Sequence, residues 1–185
     1  MGRDKLPMKV GGVPLLRRVR DVLSARCTDI VVVGAGGDSV RLGEIRRISD
    51  ERWGGLGPLA GMETGISAAK NRLVFVAAGD MPFLSEDLVY YLLERLEEGG
   101  VCAVVPRHRG TTHPLCAAYD RGILSLVRSA LDDGVRSVRA LLESLDRVEY
   151  VEGELRRFGD PDLFLMSVNS PEDLRRARAS CGDLP

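Results

Sequence analysis

One stretch, Leu73-Val-Phe-Val-Ala-Ala78 followed by Gly79-Asp80-Met81-Pro82, constrains the fold of this chain more than any other. An unbroken apolar run of this length, without polar alternation, is the pattern of a strand buried on both faces of a parallel sheet. Pro82 ends the ladder, and Ser85-Glu86-Asp87 then opens a helix with a capping hydroxyl and acids in its first turn. Asp80 therefore falls just past a buried strand, at the carboxyl edge of the sheet, where open α/β folds bind ligands. Two readings of Asp80 are open: a ligand to a divalent metal, or a carboxylate that caps the turn. Taken alone, the stretch favours the turn.

A chain of 185 residues with 44% hydrophobic content suits one globular domain, residues 1–185, with a full core. Its 27 acids and 26 bases are interspersed, which leaves no basic excess for nucleic acid and no charged patch for a membrane surface. No apolar run approaches the roughly 20 residues of a membrane span, and Met1-Gly-Arg-Asp-Lys5 does not read as a signal peptide. The expected compartment is the cytoplasm. Four cysteines, widely spaced, with only two histidines to help, do not read as a zinc site. Cys102 and Cys116 are expected to be small buried side chains.

Taken in order, the chain alternates strand and helix through its first hundred residues. Pro14 fits a helix start, with Leu15, Leu16, Val19, Val22 and Leu23 on one face. A doubly buried strand is expected over 29–34, a short helix or turn over 38–43 and a short strand over 44–49. Residues 50–61, rich in glycine, read as a shaped loop in which backbone can approach a ligand, with a helix over about 62–71 behind it. After the Leu73 strand come a helix over 85–98, strands over 101–105 and 115–119, and helices over 124–131 and 138–145. Strands over 147–151 and 163–168 follow, and a last helix starts at Asn169-Ser-Pro-Glu-Asp-Leu174. The alternation is that of a three-layer parallel α/β domain.

Four pieces become specific in combination: Met1-Gly-Arg-Asp-Lys5 before a Gly-Gly-x-Pro-Leu helix start, Asp50 ahead of Gly57-Pro-Leu-Ala-Gly61, Ala78-Gly-Asp-Met-Pro-Phe83, and Val168-Asn-Ser-Pro-Glu-Asp-Leu174. In this order and spacing the chain resembles the MobA-like nucleotidyltransferases, and most closely the molybdenum cofactor guanylyltransferases. The resemblance implies a doubly wound, mostly parallel, Rossmann-like α/β sheet of the nucleotide-diphospho-sugar transferase kind. It also implies transfer of GMP from GTP to molybdopterin, with release of pyrophosphate and formation of molybdopterin guanine dinucleotide. Carried over position by position, Lys5 matches the lysine that contacts the GTP phosphates, Asp50 an acid at the nucleotide site, and Asp80 the Mg2+ ligand. Gly57, Pro58, Leu59, Ala60 and Gly61 would line the nucleotide pocket. Asn169 lies near the pterin-bearing substrate, though it reads equally well as the N-cap of the last helix. The resemblance further implies transient contact with molybdoenzymes or other proteins of cofactor biosynthesis. His113 falls near the second-substrate region but reads as an ordinary loop histidine, and Trp53 either stacks on a ring or covers its loop.

The chemistry agrees with this set. Attack on an α-phosphate develops charge on phosphoryl oxygens and on the leaving pyrophosphate, so positioning and electrostatics suffice without a covalent nucleophile. Magnesium is commonly held by one or two carboxylates plus substrate phosphates, so a lone Asp80 is sufficient ligation from the protein.

The resemblance fails at the front. Related chains begin with an apolar strand and a Leu-Ala-Gly-Gly-x-Ser-x-Arg loop before the Met-Gly-x-Asp-Lys piece, whereas this sequence opens within that signature. Lack of a central strand is expected to leave two unpaired strand edges, and lack of the loop removes backbone N–H groups that would hold phosphates. Either Met1 is an internal methionine of a longer protein, the reading favoured by the intact remaining motifs, or the chain is a truncated, non-catalytic nucleotide-binding domain. Gly34 and Ser167 also differ from residues frequent in related chains. A relative using CTP or a sugar phosphate is the alternative within the enzyme class.

Overall fold

In a computed structural model of the protein, residues 5–34, 37–43, 45–49 and 57–182 are described. The elements are β1 (Lys9–Val10), β2 (Val13–Pro14), α1 (Leu15–Ser24), β3 (Val31–Val33), β4 (Arg46–Ile48), α2 (Pro58–Ala68), β5 (Leu73–Ala77), α3 (Glu86–Glu97) and β6 (Ala103–His108). They continue with β7 (Thr111–Thr112), β8 (Cys116–Asp120), α4 (Leu124–Asp132), α5 (Val138–Glu143), β9 (Val148–Val151), α6 (Pro161–Phe164) and α7 (Pro171–Ser180).

Local sequence accounts for the helix ends. Ser85 caps α3 by accepting the Leu88 N–H at 3.4 Å, Glu86 and Asp87 complement the dipole, and Leu88, Leu92 and Leu96 turn inward. The chain leaves α3 through Gly99 and Gly100 at φ +88° and +86°, a conformation open to glycine and strained for other residues. The helix expected over 62–71 begins earlier, at Pro58: Gly57, at φ +76°, makes the turn, and Pro58 supplies a preset first helical position. Most of the glycine-rich segment 57–61 is thus the opening of a helix, not a loop.

The central sheet runs β5-β8-β6, with β7 and β9 also paired to β6. It is mixed: β8 lies antiparallel to both β5 and β6, while β9 is parallel to β6. Alternate residues face opposite layers. Ala117 and Tyr119 pack with Leu59, Ile66, Val127 and Leu141 beneath α2, α4 and α5. Cys116 and Ala118 pack with Val19, Leu88, Leu92 and Phe164 beneath α1 and α3. This is the three-layer arrangement expected from the alternation of elements.

Two strands depart from the doubly buried pattern. Every residue of β5, and every residue of β3, is only half-buried. Among the described residues β3 pairs with β4 and β5 with β8, in separate sheets. One cavity of about 720 Å³ is lined by Val31 and Val33 on one side and by Leu73, Phe75 and Ala77 on the other. The apolar runs reflect strands with a sheet partner on one edge and this cavity beside them. The strand expected over 163–168 is also absent. Asp160 accepts the Asp162 N–H at 3.0 Å and Pro161 opens α6, so a short helical turn ending at Phe164 takes up the start of that segment.

Candidate active site

Two glycines and a leucine build the site. The chain turns after Lys5, with the Met8 N–H donating to the Lys5 carbonyl at 2.9 Å. The Leu15 and Leu16 N–H groups at the start of α1 donate to the Met8 and Leu6 carbonyls. Leu6 then packs against Gly37 and Gly79: a Cβ on Gly79 would stand 3.1 Å from both the Leu6 and Leu16 side chains, and one on Gly37 2.6 Å from Leu16. Because Gly79 carries no side chain, Leu6 sits against the end of β5, and Lys5 arrives beside Asp80.

Lys5 Nζ lies 2.5 Å from Asp80 Oδ2 and donates to Asn169 Oδ1 at 2.6 Å. Asp80 is 7% exposed. Its carbonyl accepts the Val168 N–H at 3.0 Å, which brings the segment before α7 alongside. Its Oδ1 is buried and has no hydrogen-bond partner. The true N-cap of α7 is Ser170, whose hydroxyl accepts the Asp173 N–H while Asp173 Oδ2 accepts the Ser170 N–H at 2.7 Å. Asn169 is therefore free of the capping role; its N–H donates to Asp173 Oδ2 at 3.0 Å and its side chain turns to Lys5. The Ser170 hydroxyl, with the Asn169 and Ser170 N–H groups, holds the Asp173 carboxyl below the usual carboxylate range. Arg18 braces the turn after Asp80: Nε donates to the Pro82 carbonyl at 2.9 Å, Nη1 to the Val10 carbonyl at 3.0 Å, and the guanidinium lies over the Phe83 ring.

The Asp80 carboxylate, a hard oxygen donor, suits a hard divalent cation. Among the described residues no three His, Cys, Asp or Glu side chains gather as a metal-binding group.

The sequence profile described as MobA-like NTP transferase domain matches residues 1–148. The chain belongs to the MobA-like NTP transferase family. It is 33% identical to the "Probable molybdenum cofactor guanylyltransferase" of Pelotomaculum thermopropionicum over 96% of this chain and 85% of that protein. It is 36% identical to the protein of the same description from Mycobacterium avium, over 95% of this chain and 87% of the relative. The crystal structure of molybdopterin-guanine dinucleotide biosynthesis protein A from Archaeoglobus fulgidus superposes with a TM-score of 0.82 at 28% identity, covering 99% of this chain and 93% of that one. The chain is accordingly a nucleotidyltransferase by family, with the mixed α/β fold of these enzymes.

Against this MobA-like frame, the expected residues fall into three groups. Lys5, Asp80 and Asn169 are brought together. Of the glycine-rich piece, Gly57 and Pro58 are exposed and Gly61 half-buried, whereas Leu59 and Ala60 are fully buried in the core. Pro58 and Gly61 line the same cavity as Ala78 and Gly79, just before Asp80. Leu59 and Ala60 can thus meet a ligand only through backbone groups in the first turn of α2. Asp50 and Trp53 lie outside the described residues.

A second polar cluster escaped the sequence reading. His108 Nε2 and Asp162 Oδ1 are 3.0 Å apart, and Arg109, at φ +49°, donates to Asp162 Oδ2 at 2.7 Å. The His108 bond, with Arg109 nearby, holds the Asp162 carboxyl below its ordinary range. The Arg-His-Arg-Gly turn was visible in the sequence, but its acidic partner stands 54 positions from His108. His113 sits nearby, and burial, with His108 and Arg139 adding, pushes its imidazole down from 6.5. Burial raises the Cys116 thiol to about 12, as fits an inert core cysteine.

Proposed function

We propose that the chain transfers GMP from GTP to molybdopterin, releases pyrophosphate and forms molybdopterin guanine dinucleotide, in a Mg2+-dependent reaction beside Asp80. The observation that carries this reading is the Asp80 carboxylate itself: just past β5, nearly buried, salt-bridged to Lys5, with Oδ1 unpartnered. A nearly buried carboxylate with one unpartnered oxygen is costly unless a positive charge stands against the group, the Lys5 ammonium at rest and a divalent cation in the working complex. The relatives' descriptions supply the substrates, and the likeness spans nearly the whole chain.

In this reading Asp80 holds Mg2+, which when bound neutralises charge on the phosphoryl oxygens. Lys5 contacts the triphosphate as a mobile point charge. Gly57 to Gly61 border the nucleotide through the first turn of α2, Asp50 serves the nucleotide side, and Asn169 borders the pterin-bearing substrate. The nucleophile is already a phosphate, so no strong general base is required, and binding geometry does most of the work.

The test is pyrophosphate release by the purified protein with Mg2+. Release from GTP that depends on added molybdopterin is the expected result. Equal or better use of CTP, or turnover with a sugar phosphate in place of molybdopterin, would overturn the assignment.

A further inference from the structure

We propose that Lys5 is a tethered counter-cation that keeps the metal position on Asp80 closed until a nucleotide triphosphate draws it away. The proposal rests on the reading of Asp80 as a metal ligand. Asp80 offers its two oxygens unequally. Oδ1 is buried without a partner, so whatever carboxylate surface remains open belongs to Oδ2, and Lys5 Nζ stands 2.5 Å from it. A divalent cation approaching Oδ2 meets the ammonium at the same oxygen, and like charges at that separation exclude one another.

Lys5 is held there by more than charge. Asn169 Oδ1 accepts from the same ammonium at 2.6 Å, and the Asn169 backbone is itself fixed to Asp173. Yet the tether permits release. The Lys5 carbonyl is bonded in its turn and Leu6 is seated against Gly79, so the ammonium can move on its flexible stem while the backbone stays in place. The Lys5 side chain is 28% exposed, so it has an open side toward which to swing. A triphosphate offers several charged oxygens where Asp80 and Asn169 offer one charged and one neutral oxygen. Transfer of Lys5 to the phosphates frees Oδ2 as the metal arrives with the nucleotide. Metal and nucleotide then bind with positive coupling, and Asn169 acts as a positioning residue that holds Lys5 at rest.

Binding of Mn2+ to the nucleotide-free protein, followed by the electron paramagnetic resonance of the free ion, tests this without turnover. Lys5→Met should bind Mn2+ about tenfold more tightly than wild type, a factor typical of coupling between ligands. Lys5→Arg should retain the weak wild-type binding, and Asn169→Ala should tighten it by less than Lys5→Met does. Asp80→Asn in the Lys5→Met background should remove the gain. If Lys5→Met binds no more tightly than wild type while the double variant still loses binding, the counter-cation role is overturned and the metal site stands. If wild type and Asp80→Asn bind Mn2+ with GTP equally well, the metal reading fails, and the proposal with it. Should Lys5→Met lose its cooperative melt, Lys5→Gln replaces it with the same expectations.

Discussion

Gly79 shows how a residue without a side chain can build a site. Leu6 packs where a Cβ would stand, and that contact sets Lys5 opposite Asp80. Gly79→Ala should therefore crowd both Leu6 and Leu16 and destabilise the protein by about 1–3 kcal/mol, as overpacking does; chemical denaturation measures it, and an unchanged midpoint would contradict the packing described. His113 gives a pH dependence. Its folded-state value lies below 6.5, so as pH falls the unfolded chain takes up the proton first. Stability from this group is whole above about pH 6.5 and is lost below it until the folded value is passed. His113→Asn should flatten the pH dependence of the melting temperature in that window, and an unaltered slope would exclude the burial effect. Short motifs singled out Lys5 and Asp80, and the structure brings the two together. Asn169 was ambiguous because Ser170, its neighbour, is an equally good cap, and only the geometry separates the two. The His108–Asp162 pair was not legible, since nothing local in 153–162 announces a partner 54 positions away.

Among the elements, α2 and β5 were found but misjudged in one respect each. The glycines of 57–61 suggested a loop, yet Gly57 only turns the chain and Pro58 starts the helix. Gly57→Ala would be strained at φ +76° and would bring a Cβ to 3.1 Å from the Arg136 carbonyl oxygen. The continuous apolar run of β5 implied full burial, but apolar composition cannot distinguish a strand paired on both edges from one that borders a cavity. The register decides it. The Ala78 N–H donates to the Leu115 carbonyl, so the alternate amides of Val76 and Val74 face β8, and those of Leu73, Phe75 and Ala77 face the cavity side. Native-state hydrogen exchange should find Leu73, Phe75 and Ala77 exchanging at least tenfold faster than Val74 and Val76, a contrast between open and paired positions of one strand. Equal protection would mean that this edge is paired. At α7, Ser170→Ala should cost about 1 kcal/mol for loss of the capping box, read by thermal unfolding.

For the molecule as a whole, alternating strand and helix patterns were enough to anticipate three layers around a central sheet. The antiparallel insertion of β8 between β5 and β6 was not, because strand direction follows from the length and path of a connection more than from composition. The motif spacing carried the family, and the superposition on the Archaeoglobus fulgidus structure extends that agreement to the backbone. The central claim is that the carboxylate at the end of β5 works as the metal-holding group of a guanylyl transfer. Its most direct test compares molybdopterin-dependent release of pyrophosphate from GTP by wild type and by Asp80→Asn, with melting curves recorded alongside. The account predicts a loss of at least about 10²-fold in kcat, the scale of removing one strong electrostatic contribution from a transition state, in a variant that still melts cooperatively. Wild-type turnover by folded Asp80→Asn would contradict it.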